Sequence, residues 1–220
     1  MSPSLRPLEI LDIKEIVAIH RSAFPESAWT KLGRRVVEEY YLWHLLGSHP
    51  LVWAIGAFVD HKCVGFCISG VFSASTSGFL SKNRNLLIAH LALKPWLIFD
   101  PVFFEKLRSG KNLLKRFKAK NRVPIDNVPA RVVDSFGILA IAVAPSSQGL
   151  GIGQILMNDA ENAAINHDFG KMDLTVNPSN LGAIRFYENL GWVRRFENHT
   201  WKGTMVKEIG PGRESLLKSD

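Results

Sequence analysis

The order of apolar and polar positions along the chain predicts a mixed α/β fold. Apolar residues recur every three or four positions over 13–23 and again over 36–45, the spacing of amphipathic helices, with a loop at 25–33 between them. A short strand is expected at 5–8. Near-continuous apolar runs at 51–59 and 63–72 then predict a hairpin of two largely buried strands.

The second half of the chain continues the alternation of strand and helix. The most strand-like stretch lies at 138–143, and a glycine-rich turn follows it. The elements expected after that turn are a helix to about 167, a strand at 172–176, a helix at 180–190 and strands at 192–196 and 200–209. No repeat or low-complexity linker divides the chain, so we expect a single domain over 1–220.

Two stretches between the halves depart from this pattern. The serine-rich stretch 73–81 is predicted to be a loop. A helical insertion is expected at about 94–130, where an apolar stripe underlies a run of basic residues. The chain carries 27 Lys plus Arg against 20 Asp plus Glu, and 101–122 holds eight of the basic residues and one acid. The net charge of +7 therefore belongs to this segment, and the rest of the chain is neutral.

This distribution of charge leaves several partners open for the basic insertion. The simplest interpretation is a solvated face of an amphipathic helix. The positive charge could also attract an anionic cofactor or acceptor, or an anionic membrane surface. In the membrane alternative, the side chains entering the interface are Trp96, Phe99, Phe103 and Phe104. Nucleic acid ranks third, because the neutral remainder of the chain argues against a general role in coating nucleic acid.

The cysteines and the chain start bear on cellular compartment and metal binding. Cys63 and Cys67 lie four positions apart in a predicted strand, about 13 Å from each other, which is too far for a disulfide. We expect packed free thiols. The chain start shows no apolar signal region, and no uninterrupted apolar span of about 20 residues occurs. These patterns predict a cytoplasmic protein, with peripheral membrane attachment left open, and no metal site.

The glycine-rich turn carries the clearest chemical signal. Gln148 begins the sequence Gln-Gly-Leu-Gly-Ile-Gly, which ends at Gly153 and leads into the next helix. Glycines permit positive φ and let backbone N–H groups converge, while the helix N-terminus adds unsatisfied donors, so the turn predicts a site for pyrophosphate. It lacks the Gly-Lys-Ser/Thr of a Walker A loop and the glycine spacing of a Rossmann fingerprint.

Together with the strand before it, this turn resembles the acetyl-CoA loop of the GCN5-related N-acetyltransferase (GNAT) superfamily. That loop reads Gln/Arg-x-x-Gly-x-Gly/Ala after a strand ending in Ala-Val-x-Pro, as in Ala142 to Pro145 here. The segment from Asn180 to Trp192 is similar to the Asn-x-x-Ala-x-x-Phe-Tyr-x-x-x-Gly-Phe signature of the same superfamily. The two segments cover 134–196, and the resemblance implies a largely antiparallel central sheet flanked by helices.

The resemblance implies an N-acetyltransferase that moves an acetyl group from acetyl-CoA directly to a primary amine. A small molecule such as an amino sugar is the favoured acceptor. Three alternatives stay open: a protein N-terminal or lysine acetyltransferase, a non-catalytic acyl-CoA-binding module, and an interaction protein that uses only the insertion. A monomer and a homodimer are equally compatible with the sequence.

The resemblance also implies which residues hold the cofactor. Contacts with acetyl-CoA are expected from the strand, from the turn and from the second segment. The expected residues are Ile141, Ala142, Val143, Gln148, Gly149, Leu150, Gly151, Ile152, Gly153, Gln154, Asn180, Ala183, Phe186 and Tyr187. Tyr187 is also the expected proton donor to the departing thiolate, since the ordinary pKa of tyrosine, near 10, lies above the ~8.5 of a thiol.

The general base and the acceptor site are less defined. Some members of the superfamily carry a glutamate where this chain has Thr175, which cannot act as a base. Asp134 is the candidate base, with a water relay or an acceptor amine of low pKa as the alternative. The resemblance implies an acceptor cleft with two walls, formed by Glu26, Ser27 and Trp29 on one side and by Glu197, His199 and Trp201 on the other.

Overall fold

The computed structural model describes residues 3–72, 75–100 and 135–210. The described residues fall into two compact units. The sheet unit comprises 3–8, 50–72 and 135–210, and the helical unit comprises 9–49 and 75–100. Most of the predicted basic insertion lies outside the described residues, and the single domain over 1–220 stays a prediction.

The sheet unit contains a seven-stranded sheet. Its strands are β1 (Ser4–Pro7), β2 (Leu51–Val59), β3 (Lys62–Val71), β4 (Phe136–Val143), β5 (Lys171–Thr175), β6 (Val193–Glu197) and β7 (Thr200–Glu208). They lie in the order β1-β2-β3-β4-β5-β7-β6, and every neighbouring pair is antiparallel except β4 and β5. This mixed, largely antiparallel sheet confirms the predicted fold class.

Seven α-helices accompany the strands in the described part of the chain. They are α1 (Ile13–Ala23), α2 (Ala28–Leu32), α3 (Arg34–Leu46), α4 (Ser75–Lys82), α5 (Arg84–Ala92), α6 (Ile152–Asn166) and α7 (Leu181–Asn189). Helices α1 to α5 belong to the helical unit, and α6 and α7 belong to the sheet unit. Among the residues that the structure covers, no helix combines the length and the apolar character needed to cross a membrane.

The two parallel strands separate soon after they pair. β4 and β5 pair only from Phe136 opposite Met172 to Ile138 opposite Leu174. β4 then continues to Val143 with β3 on its other edge, while no strand of the described chain pairs with the β5-facing edge of 139–143. The sheet therefore holds an open strand edge near its centre.

One face of the sheet is closed by α6. Because side chains alternate along a strand, β4, β5 and β7 send Phe136, Met172 and Met205 into one core cluster, where Leu156 and Met157 of α6 are also buried. The predicted pair of free thiols, Cys63 and Cys67, is confirmed as buried and unbridged. α6 is thereby fixed on the sheet over most of its length, which sets the position of its N-terminus.

The predicted loop at 73–81 is wrong, because α4 begins at Ser75. Phe79 is completely buried, and its ring makes edge contacts with the rings of Trp29 at 5.2 Å and Tyr40 at 5.4 Å between centroids. The serine content of this stretch is typical of a loop, but burial of one aromatic side chain stabilises a helix there. The loop expected at 25–33 likewise contains a short helix, α2.

The helical unit buries a histidine at the end of α3. His44 is fully buried, its Nδ1 donates to the carbonyl oxygen of Tyr40 at 2.7 Å, and its ring stacks on that of His49 at 5.5 Å. Burial lowers the pKa of His44 from 6.5 to about 4; the nearby His49 lowers the pKa further, and the hydrogen bond to Tyr40 opposes both effects.

We expect acid to destabilise this unit through His44. The folded-state pKa lies below the unfolded value of 6.5, so the neutral ring contributes its full stability above pH 6.5 and loses it as the pH falls towards 4. The loss of unfolding free energy from this one group is on the order of 3 kcal/mol. Urea unfolding at several pH values should show a flatter pH dependence for His44→Gln, and an unchanged slope in that variant would contradict the assignment.

Candidate active site

The glycine loop, residues 148–153, connects the end of β4 to the start of α6. Gly149 and Gly151 have φ of +79° and +77°, in the left-handed region that favours glycine. A Cβ atom built on either residue meets no atom within 4 Å. Backbone conformation, and not crowding by protein, therefore requires these two glycines, and the space beside the loop is open to a ligand.

The N-terminus of α6 adds an anion-binding character to this open space. As in any α-helix, the first-turn N–H groups of Ile152, Gly153 and Gln154 have no acceptor within the helix, and the positive end of the helix dipole lies there. The first turn contains no acidic side chain. These donors and the open glycine loop fit a pyrophosphate group.

Gln148 ties the loop to the strand before it. Its side-chain Nε2 donates a hydrogen bond to the carbonyl oxygen of Val143 at 3.1 Å. This bond closes the turn from β4 into the glycine loop, so the described role of the Gln148 amide is to position the loop. Its expected contact with the cofactor stays a prediction.

Gly153 brings three elements of the sheet unit together. A Cβ atom at this position would lie 3.3 Å from Cζ of Phe186 on α7 and 3.9 Å from Cγ2 of Val143 on β4. The close approach of Phe186 explains the third glycine of the loop, which has no positive φ. Val143, Gly153 and Phe186, all predicted to bind the cofactor, are thus neighbours at the open edge of β4.

Asn180 fixes the start of α7. Its Oδ1 accepts a hydrogen bond from the backbone N–H of Ala183 at 3.1 Å, as an N-cap residue does. The asparagine and the alanine of the second motif are therefore joined by the cap itself. This bond helps to orient the helix that carries Phe186 and Tyr187.

Tyr187 lies on the core side of α7. Its ring is buried, with the ring of Phe186 edge-on at 5.2 Å and that of Trp192 at 6.1 Å. Burial raises the pKa of Tyr187 well above its ordinary value of 10, and the nearby Cys67 adds to the rise. The hydroxyl is therefore protonated at neutral pH, and within the described chain it makes no hydrogen bond to another residue.

Strand β5 carries an acidic residue that the sequence analysis did not select. Thr175 is exposed at the end of β5, opposite Thr204 of β7, and Asp134 lies outside the described residues. Asp173 is a half-buried carboxylate on the same face of β5 as Thr175, and it accepts a hydrogen bond from the Ser135 hydroxyl. Sequence analysis missed Asp173, although its place between the buried Met172 and Leu174 already assigns it to the opposite face.

The acceptor residues predicted in the helical unit have defined structural contacts. Ser27 caps α2 by accepting from the backbone N–H of Thr30 at 3.1 Å. The Trp29 ring stacks on that of Tyr40, with 5.4 Å between centroids. Glu26 is mostly exposed, and its Oε2 lies 2.8 Å from Nζ of Lys31. A role of these residues in acceptor binding stays a prediction.

The acceptor residues predicted in the sheet unit lie around the β6–β7 turn. His199 is exposed with φ of +62°. Trp201 Nε1 donates to the carbonyl oxygen of Thr204 at 2.7 Å, and the Arg194 guanidinium lies 4.7 Å from the centre of the Trp201 ring. Oε2 of Glu197 lies 3.8 Å from Nζ of Lys202. The Trp201 contacts show that this side chain helps to hold the hairpin.

The part of the chain that matches a known protein family includes the glycine loop and α7. Residues 125–192 match the sequence model of the acetyltransferase (GNAT) family. The matched segment, about a third of the chain, is similar to the GNAT acetyltransferases. This match confirms the predicted family and the predicted class of enzyme, an acetyl-CoA-dependent N-acetyltransferase. No curated protein matches the chain.

Solved structures share the GNAT fold over nearly the whole chain. PaiA N-acetyltransferase from Thermoplasma acidophilum, in complex with coenzyme A, is 14% identical over 94% of this chain and 99% of its own, with a TM-score of 0.56. The ribosomal-protein-S18-alanine N-acetyltransferase from Escherichia coli is 16% identical over 97% and 98%, with a TM-score of 0.57.

Another similar structure is a phosphinothricin acetyltransferase from Sinorhizobium meliloti in complex with acetyl-CoA. It is 14% identical over 97% of this chain and 92% of its own, with a TM-score of 0.55. The phosphinothricin acetyltransferase and PaiA structures contain acetyl-CoA and coenzyme A, which agrees with acetyl-CoA as the predicted cosubstrate.

Substitution at Gly151 tests whether the glycine loop binds the coenzyme. Gly151→Ala places a side chain at φ +77°, which costs about 1–2 kcal/mol and favours rotation of the loop N–H groups away from their present direction. We expect coenzyme A affinity, measured by calorimetry, to fall about tenfold. Gly137→Ala is the matched control because its Cβ makes only an ordinary contact at 3.5 Å with the carbonyl oxygen of Gly70. Equal affinities for the two variants would contradict this role of the loop.

Proposed function

We propose that this GNAT-family protein transfers the acetyl group of acetyl-CoA to a primary amine of a small molecule by direct attack of the amine. The observation that carries the proposal is the meeting of the glycine loop, Val143 and Phe186 at the open edge of β4. Acetyl-CoA supplies an activated thioester carbonyl. The protein has to hold it, exclude water and stabilise the thiolate that departs.

The chemistry of the open site supports a position for the cosubstrate. The loop N–H groups at 149–154 would hold the pyrophosphate beside the positive end of α6. The unpaired edge of 139–143 offers backbone donors and acceptors, and the amide groups of a pantetheine arm can bind there as an added strand would. Phe186 would line the α7 side of the same region, because its ring lies against Gly153 at the start of α6, and Ala183 is expected beside it on α7.

The raised pKa of Tyr187 refines its expected role. Complete transfer of its proton to a thiolate with a pKa near 8.5 is strongly uphill, since burial disfavours the tyrosinate. We therefore assign the Tyr187 hydroxyl a hydrogen bond to the departing sulfur, which stabilises the negative charge as the C–S bond breaks. The proton that the attacking nitrogen loses can then neutralise the thiolate through solvent.

The attacking amine has to be neutral, so a group must accept its proton. Asp134 is one candidate, and Asp173 becomes a second because its half-buried carboxylate lies on β5 on the same face as Thr175. Asn variants of the two residues, assayed over a range of pH, would identify the base by loss of the acidic limb of kcat/KM. A water relay is supported if neither variant changes that limb.

A non-catalytic acyl-CoA-binding module is the rival function, and Thr175 is the observation that favours it. Thiol release from acetyl-CoA, measured across a panel of small amines, peptides with free N-termini and lysine peptides, discriminates between the two. Turnover on small amines supports the proposal, and turnover on peptides alone would transfer it to a protein acceptor. Coenzyme A binding without turnover on any amine would favour the module, and absence of binding would reject both.

Tyr187→Phe tests the proposed hydrogen bond to the sulfur. The phenylalanine keeps the packing against Phe186 and Trp192, so we expect unchanged folding and unchanged coenzyme A affinity. Loss of one donor to a developing charge should lower kcat by about 100-fold or more. Steady-state kinetics with the best amine of the panel provide the measurement, and Ile184→Val, at another buried position of α7, serves as a packing control. A Tyr187→Phe enzyme with wild-type kcat would remove the hydroxyl from the mechanism.

A further inference from the structure

Strands β5 and β7 carry polar side chains on the face of the sheet opposite α6. Met172 and Leu174 of β5 are buried in the core cluster with α6, so Asp173 and Thr175, which alternate with them, lie on the other face. Thr175 is opposite Thr204 of β7, and residues opposite each other in neighbouring strands share a face. We call Asp173, Thr175 and Thr204 the polar patch. It lies beside the point where β4 and β5 part, since Leu174 is the last residue of β5 that pairs with β4.

The polar groups of this patch are available to a ligand. The Ser135 hydroxyl donates to Oδ1 of Asp173 and leaves Oδ2 without a hydrogen bond from the described residues. The hydroxyls of Thr175 and Thr204 likewise make no hydrogen bond to another described side chain or to the described backbone. Thr175 is exposed, and Asp173 and Thr204 are half-buried. One carboxylate oxygen and two hydroxyls can therefore bind a molecule from solvent.

Asp173 gives this face an unbalanced negative charge. Lys171 and Glu208 lie on the same face, opposite each other in the register, and they pair with 3.4 Å between Nζ and Oε1. Asp173 forms no ion pair with any described residue. A carboxylate with one oxygen fixed and the other open favours a cationic N–H donor, and an ammonium group supplies both the charge and the donors.

The sheet leaves room beside this carboxylate. Asp173 is paired with Gly137 of β4, and Gly137 is paired with Gly70 of β3, so these two strands place no side chain in this row of the sheet. A Cβ atom on Gly137 would meet, among the described residues, only the carbonyl oxygen of Gly70, at 3.5 Å. On the β7 side the row ends with the apolar Val206. The β4 side of Asp173 is therefore open to a small ligand.

We propose that the polar patch binds the acceptor and selects a primary amine that carries hydroxyl groups, such as an amino alcohol or an amino sugar. This inference rests on the proposed acetyl transfer. The ammonium form of the acceptor would bind Oδ2 of Asp173, and its hydroxyls would exchange hydrogen bonds with Thr175 and Thr204. Positions two apart on a strand are about 7 Å from each other, a span that an amine and a hydroxyl on adjacent carbons bridge with one hydrogen bond at each end. A plain alkyl amine would bind only the carboxylate.

A matched pair of amines tests this selectivity. Serinol (2-amino-1,3-propanediol) and isopropylamine have the same carbon skeleton and differ by two hydroxyl groups. We expect Thr175→Val/Thr204→Val, which keeps the side-chain shape, to lower the ratio of kcat/KM for serinol to that for isopropylamine about tenfold, through loss of two hydrogen bonds. Comparing the ratio between enzymes cancels the different basicity of the two amines. Thr76→Val, at an exposed position of α4, should keep the wild-type ratio.

Two single variants test the amine end of the patch. Asp173→Asn keeps the size of the side chain and removes its charge, so KM should rise for serinol and isopropylamine alike, about tenfold. Gly137→Ala fills part of the open space and should raise KM for serinol. In both variants coenzyme A affinity should stay at the wild-type value, and a loss of that affinity together with a wild-type KM for amines would contradict the assignment.

Amine binding without turnover separates this inference from the transfer reaction. Serinol is added to the protein with coenzyme A bound, and saturation-transfer NMR reports its binding. Binding that weakens in the double threonine variant supports the patch even if acetyl-CoA gives no turnover, a result that would reject only the proposed function. Turnover on small amines with a serinol-to-isopropylamine ratio that the double variant leaves unchanged would overturn the patch and leave the proposed function standing. Absence of serinol binding and of serinol turnover would also overturn the patch.

Discussion

The candidate site depends on the short length over which β4 and β5 pair. Their parallel pairing covers the stretch from Phe136 to Ile138, and after it the two strands part. Strand edges are normally paired or covered, because unpaired N–H and C=O groups attract other chains. Here the open edge lies inside a sheet that continues on both sides, so it is available to an extended ligand and protected from further strand addition at the rim.

Two helix starts are positioned around that opening by different forces. α6 is held by burial of its apolar face against the sheet, which directs its N-terminal N–H groups beside the end of β4. α7 begins at the cap formed by Asn180 and approaches α6 closely only because residue 153 has no side chain. The mixed α/β class and the two GNAT-like motifs were predictable because their signals are local, and the largely antiparallel sheet followed from the resemblance that those motifs carry. Each consists of residues within one turn, one cap or one strand.

The errors arose where distant residues decide the local structure. The stretch 73–81 has the composition of a loop, yet a helix begins at Ser75 because the ring of Phe79 packs against Trp29 and Tyr40, which are far away in sequence. For Gln148 and Ser27 the structure adds local contacts, a hydrogen bond to Val143 and the cap of α2, and their expected ligand contacts stay predictions. Asp173 was overlooked because its relevance comes from the face of β5 on which it lies, and a motif search does not record faces.

In the proposed mechanism, in which the Tyr187 hydroxyl donates to the departing sulfur, the burial of Tyr187 bears on which amines can be acetylated. Aliphatic amines become nucleophilic only when they lose their proton, which for an ordinary lysine-like amine occurs near pH 10. An exposed tyrosine would ionise over that same interval, so nucleophile and donor would be available together only in a narrow range. Burial raises the pKa of Tyr187 above the pH range in which these amines lose their proton. The Tyr187 hydroxyl therefore stays protonated while even strongly basic acceptors are deprotonated. In that mechanism acceptor basicity would be uncoupled from the protonation state of the tyrosine, and the alkaline side of the rate profile would be open to substrates that a solvent-exposed phenol would exclude.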